Sequence, residues 1–170
     1  MKQNWIDRIF TEPPAAAAFA IFALSLATLA GAWFFEFVLK LPPCPLCLTQ
    51  RIPYHIMIPL SLLLGIAALA HAPQKLVTVG FAAVMIAALC NVVLGAYHAG
   101  VEWQMWAGPS ACTGSAFQLS GALDLNAHVV SCDHAAWRLF GISMAGYNAI
   151  ISLGFAAAAF ALLTRTETRA

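Results

Sequence analysis

Four times along this chain, 23 or more consecutive residues pass without an aspartate, glutamate, lysine or arginine. There are 23 such residues between Glu12 and Glu36, 23 between Arg51 and Lys75, 26 between Lys75 and Glu102, and 26 between Arg138 and Arg165. A helix needs roughly 20 apolar residues to cross the hydrocarbon core of a bilayer. Within a single segment, only a helix satisfies the backbone polar groups there. Composition agrees, with 62% hydrophobic and 9% charged residues and a mean hydropathy of +0.82. A soluble domain carries about 25% charged residues. The expectation is an all-α, integral membrane four-helix bundle.

A fifth uncharged stretch, between Glu102 and Asp124, contains AGPSACTGS and reads as a loop. The spans fall near 14–36, 50–71, 76–98 and 140–163, within one domain covering 1–170. Loops near 37–49 and 99–139 lie together on one side, the second carrying a cysteine pair. The short HAPQK turn makes the second and third spans antiparallel neighbours. The first apolar stretch is too long for a signal-peptide core and reads as an uncleaved helix. Both termini share a side with Lys2, Arg8, Lys75, Arg165 and Arg169, against Lys40, Arg51 and Arg138 opposite. By the positive-inside rule the termini are cytoplasmic, and Trp33, Trp103, Trp106 and Trp137 mark the other interface. No basic tract or phosphate-cradling glycine motif points to nucleic acid or nucleotide.

This topology sorts the cysteines. Cys44 and Cys47 fall in the first outer loop, Cys112 and Cys132 in the second, and Cys90 alone in the third span. Four sulfurs on the outer face suit a compartment where disulfides persist. In CPLC, two intervening residues let the sulfurs meet, and Pro45 restricts Cys44 to an extended backbone. Cys47 is expected at or just before the start of the second helix, where the dipole and Arg51 favour a thiolate. A zinc half-site shares this spacing, with Cys132 and either His128 or His134 to complete it. Covalent haem would need a histidine where Leu48 stands. Cys112 and Cys132, taken alone, suit a static staple of about 3 kcal/mol. Beside a second redox-capable pair they also suit a relay, with Cys112 in an accessible glycine-rich stretch and Cys132 near the membrane surface. A relay needs an electron sink, and a membrane offers a lipid-soluble quinone, in a pocket near Cys47, Arg51 and His98.

Taken together, PCPLCLTQR after the first span, AYHAG ending the third and SCDHAAWRLFGISMAGYN entering the fourth resemble the disulfide bond formation protein B (DsbB) family. Its members are bacterial inner-membrane thiol oxidases. The resemblance implies a dithiol:quinone oxidoreductase whose catalytic residues are Cys44, Cys47, Cys112 and Cys132, with no metal. A periplasmic DsbA-like partner would attack the Cys112–Cys132 disulfide at Cys112, and Cys132 would then attack Cys44. Cys47 would become the thiolate that engages ubiquinone or menaquinone, with Arg51 and His98 contacting the quinone. The chain departs from the enterobacterial type in LTQ between Cys47 and Arg51. FQLSGALDLNAHVV has mixed apolar spacing where the family can carry a membrane-lying helix.

The remaining polar residues read as structural. Cys90 suits a small buried hydrophobe, and Asn91 and Asn148 suit interhelical hydrogen bonds. Glu36 sits at a span boundary, where a charge reaches the interface cheaply. Pro53 and Pro59 bend or start the second helix.

Overall fold

The computed structural model describes residues 9, 12–110, 112 and 131–167. Helix α1 (Pro13–Trp33) starts on prolines at its first positions, where a missing N–H costs nothing, and ends in one π-helical turn, Phe34–Val38. Helix α2 (Pro45–Leu69) begins earlier than the charge gap implies, because Cys44 caps it and Pro45 takes its first position. Helix α3 (Gln74–Glu102) continues past 98 to Glu102, and α4 (Met144–Glu167) completes the set. Four helices among the described residues are long and apolar enough to cross a membrane.

Polarity runs inward across the bundle. Leu24, Ile56, Leu63, Val79, Val93 and Leu153 point outward and exposed, while Ser25, Ser61, Asn91 and Ser152 are fully buried. Lipid gives apolar side chains no reason to leave the surface, so close packing and interior hydrogen bonds hold such helices together. The apolar interior is built on Met57, Phe81, Val84, Ala88, Phe155 and Ala159. Helices α3 and α4 approach at Gly95, where a Cβ would lie 2.9 Å from Ala149 N and 3.0 Å from Ala145 O. Neighbouring helices pack in chain order, but α1 and α4 meet sparsely and leave a groove lined by Ala17, Ala20, Leu24, Gly154 and Ala158. Cys90 is not buried as expected. It lies on the outward face of α3, a side that uniform apolarity hides in the sequence.

One small departure from all-α structure matters for the site. Strands β1 (Arg138–Leu139) and β2 (Ile142–Ser143) pair antiparallel, with Leu139 opposite Ile142. The loop residues Phe140 (φ 49°) and Gly141 (φ 81°) are both left-handed, as a two-residue type I′ hairpin requires. Trp137 packs on Phe35 at 5.2 Å between ring centroids, and the Tyr147 hydroxyl donates to the Leu139 carbonyl at 3.0 Å. These contacts hold the segment before α4 against the end of the bundle where α2 starts and α3 stops.

Candidate functional site

The CPLC segment turns on Cys44. Its extended backbone (φ −75°, ψ 165°) is the conformation that a following proline imposes, and its Sγ accepts the Cys47 N–H at 3.2 Å. Cys44, not Cys47, therefore caps the helix; Cys47 lies within the first turn. Cys47, expected at or just before the helix start, sits inside the first turn because Pro45 begins the helix. The two sulfurs, both free thiols, lie 2.9 Å apart. The hydrogen bond shared with the Cys47 thiol is the main cause that lowers the Cys44 thiol to about 4. Burial opposes it, and His98 and the Cys47 N–H add to it.

His98 joins this sulfur to the bundle interior. Its Nε2 lies 3.5 Å from Cys44 Sγ, and its Nδ1 lies 2.7 Å from the Gln50 amide nitrogen. The amide donates, so Nδ1 accepts and the ring proton sits on Nε2, facing Cys44. Gln50 is itself fixed, since Asn148 Nδ2 donates to its Oε1 at 2.6 Å. Asn148 Oδ1 accepts from the Tyr54 hydroxyl (2.6 Å) and from Asn91 Nδ2 (3.2 Å), and Asn91 also donates to Ser152 Oγ (3.1 Å). This is the interhelical role expected of Asn91 and Asn148, here in service of an imidazole. On the other side of His98, Glu102 Oε1 lies 3.8 Å from Nε2. Arg51 Nη1 donates to Glu36 Oε2 at 2.5 Å, both side chains mostly buried.

The second pair is joined as the Cys112–Cys132 disulfide, with a Cα–Cα distance of 5.0 Å. Cys44 Sγ, His98 Nε2 and Cys132 Sγ all lie within 4.8 Å of one another, and all three residues are buried. Cys112 is not the accessible residue expected of a glycine-rich loop. It is fully buried among Val101, Cys44 and Cys132. The FQLSGALDLNAHVV stretch and His128 lie outside the described residues. His134 lines the cavity but is absent from the tight cluster. The cluster is poorly prepared for zinc: Nε2 carries the proton, and Cys132 Sγ is committed to Cys112.

A cavity of about 370 Å³ opens beside these groups. Leu29, Phe35, Pro43, Trp137 and Ile151 give it apolar walls, while Cys44, Cys47, Arg51, His98 and Glu102 converge on it. Size and lining suit a small, mainly apolar ligand held by a few polar groups. Thr28 and Ile151 belong both to this cavity and to the groove between α1 and α4, so the two adjoin.

Cys44, Cys47, Arg51 and His98 are thus brought to one cavity, Cys132 stands beside Cys44, and Cys112 lies behind Cys132. Sequence reading missed Gln50, Glu36 and Glu102. The spacing of His98 and Glu102 (i, i+4 on one helix face) was an available signal. The Gln50–His98 and Glu36–Arg51 pairs join separate helices and left none.

The family model for the disulfide bond formation protein DsbB matches residues 14–162. An uncharacterized protein of Rickettsia prowazekii (strain Madrid E) is 27% identical over 141 residues, covering 78% of each chain. No solved structure matches the chain. The chain belongs to the disulfide bond formation protein DsbB family.

Proposed function

On the premise that this is a membrane disulfide-bond formation protein of that family, we propose that it oxidises a periplasmic DsbA-like dithiol protein and reduces ubiquinone or menaquinone. The observation that carries the reading is the cluster of Cys44 Sγ, His98 Nε2 and Cys132 Sγ within 4.8 Å of one another. A sulfur that leaves Cys112 at Cys132 is already beside the next sulfur it must attack.

The steps balance as thiol–disulfide exchange. A partner thiolate attacks Cys112 and frees Cys132, which attacks Cys44 of an oxidised Cys44–Cys47 pair. Cys47 leaves as the thiolate. The partner's second thiol then attacks the partner sulfur held on Cys112, so the partner departs oxidised, and the freed Cys112 attacks Cys132, which closes the outer disulfide and releases Cys44. Cys44 and Cys47, now both reduced, pass two electrons to the quinone as their disulfide re-forms. The net exchange is one dithiol and one quinone to one disulfide and one quinol. His98, with its proton on Nε2, stabilises negative charge at Cys44, and Arg51 offers a cation to the quinone oxygens. The adjoining groove between α1 and α4 gives an apolar tail a route from the lipid. Because Cys112 is buried, it must become exposed before the partner attacks. The protein sits in the inner membrane, its cysteine loops periplasmic and its termini cytoplasmic.

The test is a thiol count by gel-shift alkylation of purified protein, given reduced partner with and without quinone. Quinone-dependent return of both disulfides is expected, and Cys47→Ser should abolish quinone reduction while leaving the outer pair able to exchange. Disulfides unchanged by either addition would refute the reading, as would full turnover by Cys47→Ser.

A further inference from the structure

Glu102 is the buried ionisable group that the relay leaves without a task. Its carboxylate closes the last turn of α3 at the cavity wall, over nine-tenths buried. Oε1 is engaged by His98 Nε2 at 3.8 Å. Oε2 has no hydrogen-bond partner among the described residues. An unpaired buried oxygen costs stability, so its retention beside two reactive sulfurs calls for a function. Cys47 and Arg51 on α2, His98 on α3, and His134 before α4 share the cavity with it. Arg138 Nη2 donates to the Glu102 backbone carbonyl at 3.3 Å.

Quinone reduction at this site has an unbalanced proton. Two electrons leave the sulfurs of Cys44 and Cys47, and a quinol needs two protons with them. Cys47 can carry one as its thiol. Cys44 is capped by an N–H, faced by the His98 proton and shares a hydrogen bond with Cys47, all of which favour its thiolate. Its proton must be stored elsewhere or fetched from water.

We propose that Glu102 stores this second proton and delivers it from Oε2 to the quinone. The step rests on the quinone-reducing reading above. Written out, Cys44 thiolate, Cys47 thiol, protonated Glu102 and quinone become the Cys44–Cys47 disulfide, quinol and Glu102 carboxylate. One S–S bond forms, two electrons pass to the quinone, and two protons follow, one from Cys47 and one from Glu102. Reduction of the inner pair by an incoming dithiol recharges the store, since that dithiol supplies two protons and Cys44 keeps neither.

Proton release tests this without turnover. Oxidised full-length protein in weakly buffered detergent at neutral pH is reduced with dithiothreitol in the absence of quinone, with a pH indicator reporting released protons. Wild type should retain both protons of the inner pair. Glu102→Gln, which keeps the shape but not the ionisable group, should release about one more per chain. Glu102→Asp should restore retention, which a merely structural role would not do. With a short-chain quinone added, Glu102→Gln should reoxidise the inner pair about 10²-fold more slowly, the scale of a lost proton-transfer group. Equal proton release by wild type and a folded Glu102→Gln overturns the proposal, as does failure of Glu102→Asp to restore retention. A wild-type protein that retains the protons yet never reduces quinone would sink the quinone reading and leave the proton store standing.

Discussion

Replacing His98 by Phe keeps an aromatic ring and removes both nitrogens. Two separable effects follow from the geometry. The Cys44 thiolate loses the Nε2 donor at 3.5 Å. A hydrogen bond to a charged group contributes roughly 1.5–3 kcal/mol, and the long separation places this one at the low end. At 1.36 kcal/mol per pH unit, the Cys44 thiol should rise from about 4 by about one unit. It should not return to 9.0, because the hydrogen bond with Cys47, the largest cause of the depression, survives. Separately, the Gln50 amide loses its acceptor at 2.7 Å in a buried position, costing about 1–3 kcal/mol of stability. Thiolate absorbance of the reduced protein, followed from acid to neutral pH, reads the first effect, and thermal unfolding in detergent reads the second. An acid midpoint equal in wild type and His98→Phe would refute the placement of the imidazole proton on Nε2.

Cys44 also links stability to pH. In the unfolded chain its thiol titrates near the ordinary 9.0, and in the folded one at about 4. A depressed acid stabilises the fold fully above the higher value, and that stabilisation is lost as pH falls through the lower one. Unfolding of the reduced protein should therefore show stability rising with pH between the two, by at most about 1.4 kcal/mol per unit. Cys44→Ser should flatten this slope, and an unchanged slope would contradict the assignment. Arg51→Ala should raise the quinone KM about tenfold, a loss of about 1.4 kcal/mol, before it affects thiol exchange. Adding Glu36→Gln should recover stability lost with the ion pair but not the KM, and an unaltered KM in Arg51→Ala would remove it from the pocket. Gly95→Val should destabilise by about 1–3 kcal/mol through overpacking against the α4 backbone, read as an earlier thermal transition.

Much of the bundle was legible because lipid makes one demand, a long segment without charge, and four gaps in the charge pattern meet it. The ends were less legible. Pro45 is a helix-start signal inside the CPLC motif, and it sets the start ahead of Cys47, so that Cys44 supplies the cap. Helix faces were harder still, since an apolar span looks alike inside and out, and Cys90 was turned inward for that reason. At the site, Cys44, Cys47, Arg51 and His98 could be proposed from motif and position. The partners that set their chemistry could not, because Gln50 meets His98 from another helix and Glu36 meets Arg51 across a turn. Composition also misjudged Cys112: AGPSACTGS is rich in turn formers, but Val101 and Cys132 bury its cysteine.

The relay depends on direct contact between sulfurs from the two loops. Removing their present partners, in a Cys47→Ala, Cys112→Ser protein, leaves Cys44 and Cys132 as nearest neighbours within 4.8 Å. Mild oxidation followed by non-reducing peptide mapping should return the Cys44–Cys132 disulfide as the main product. Recovery of both as free thiols, or joined to Cys90 or to a second chain, would contradict the account.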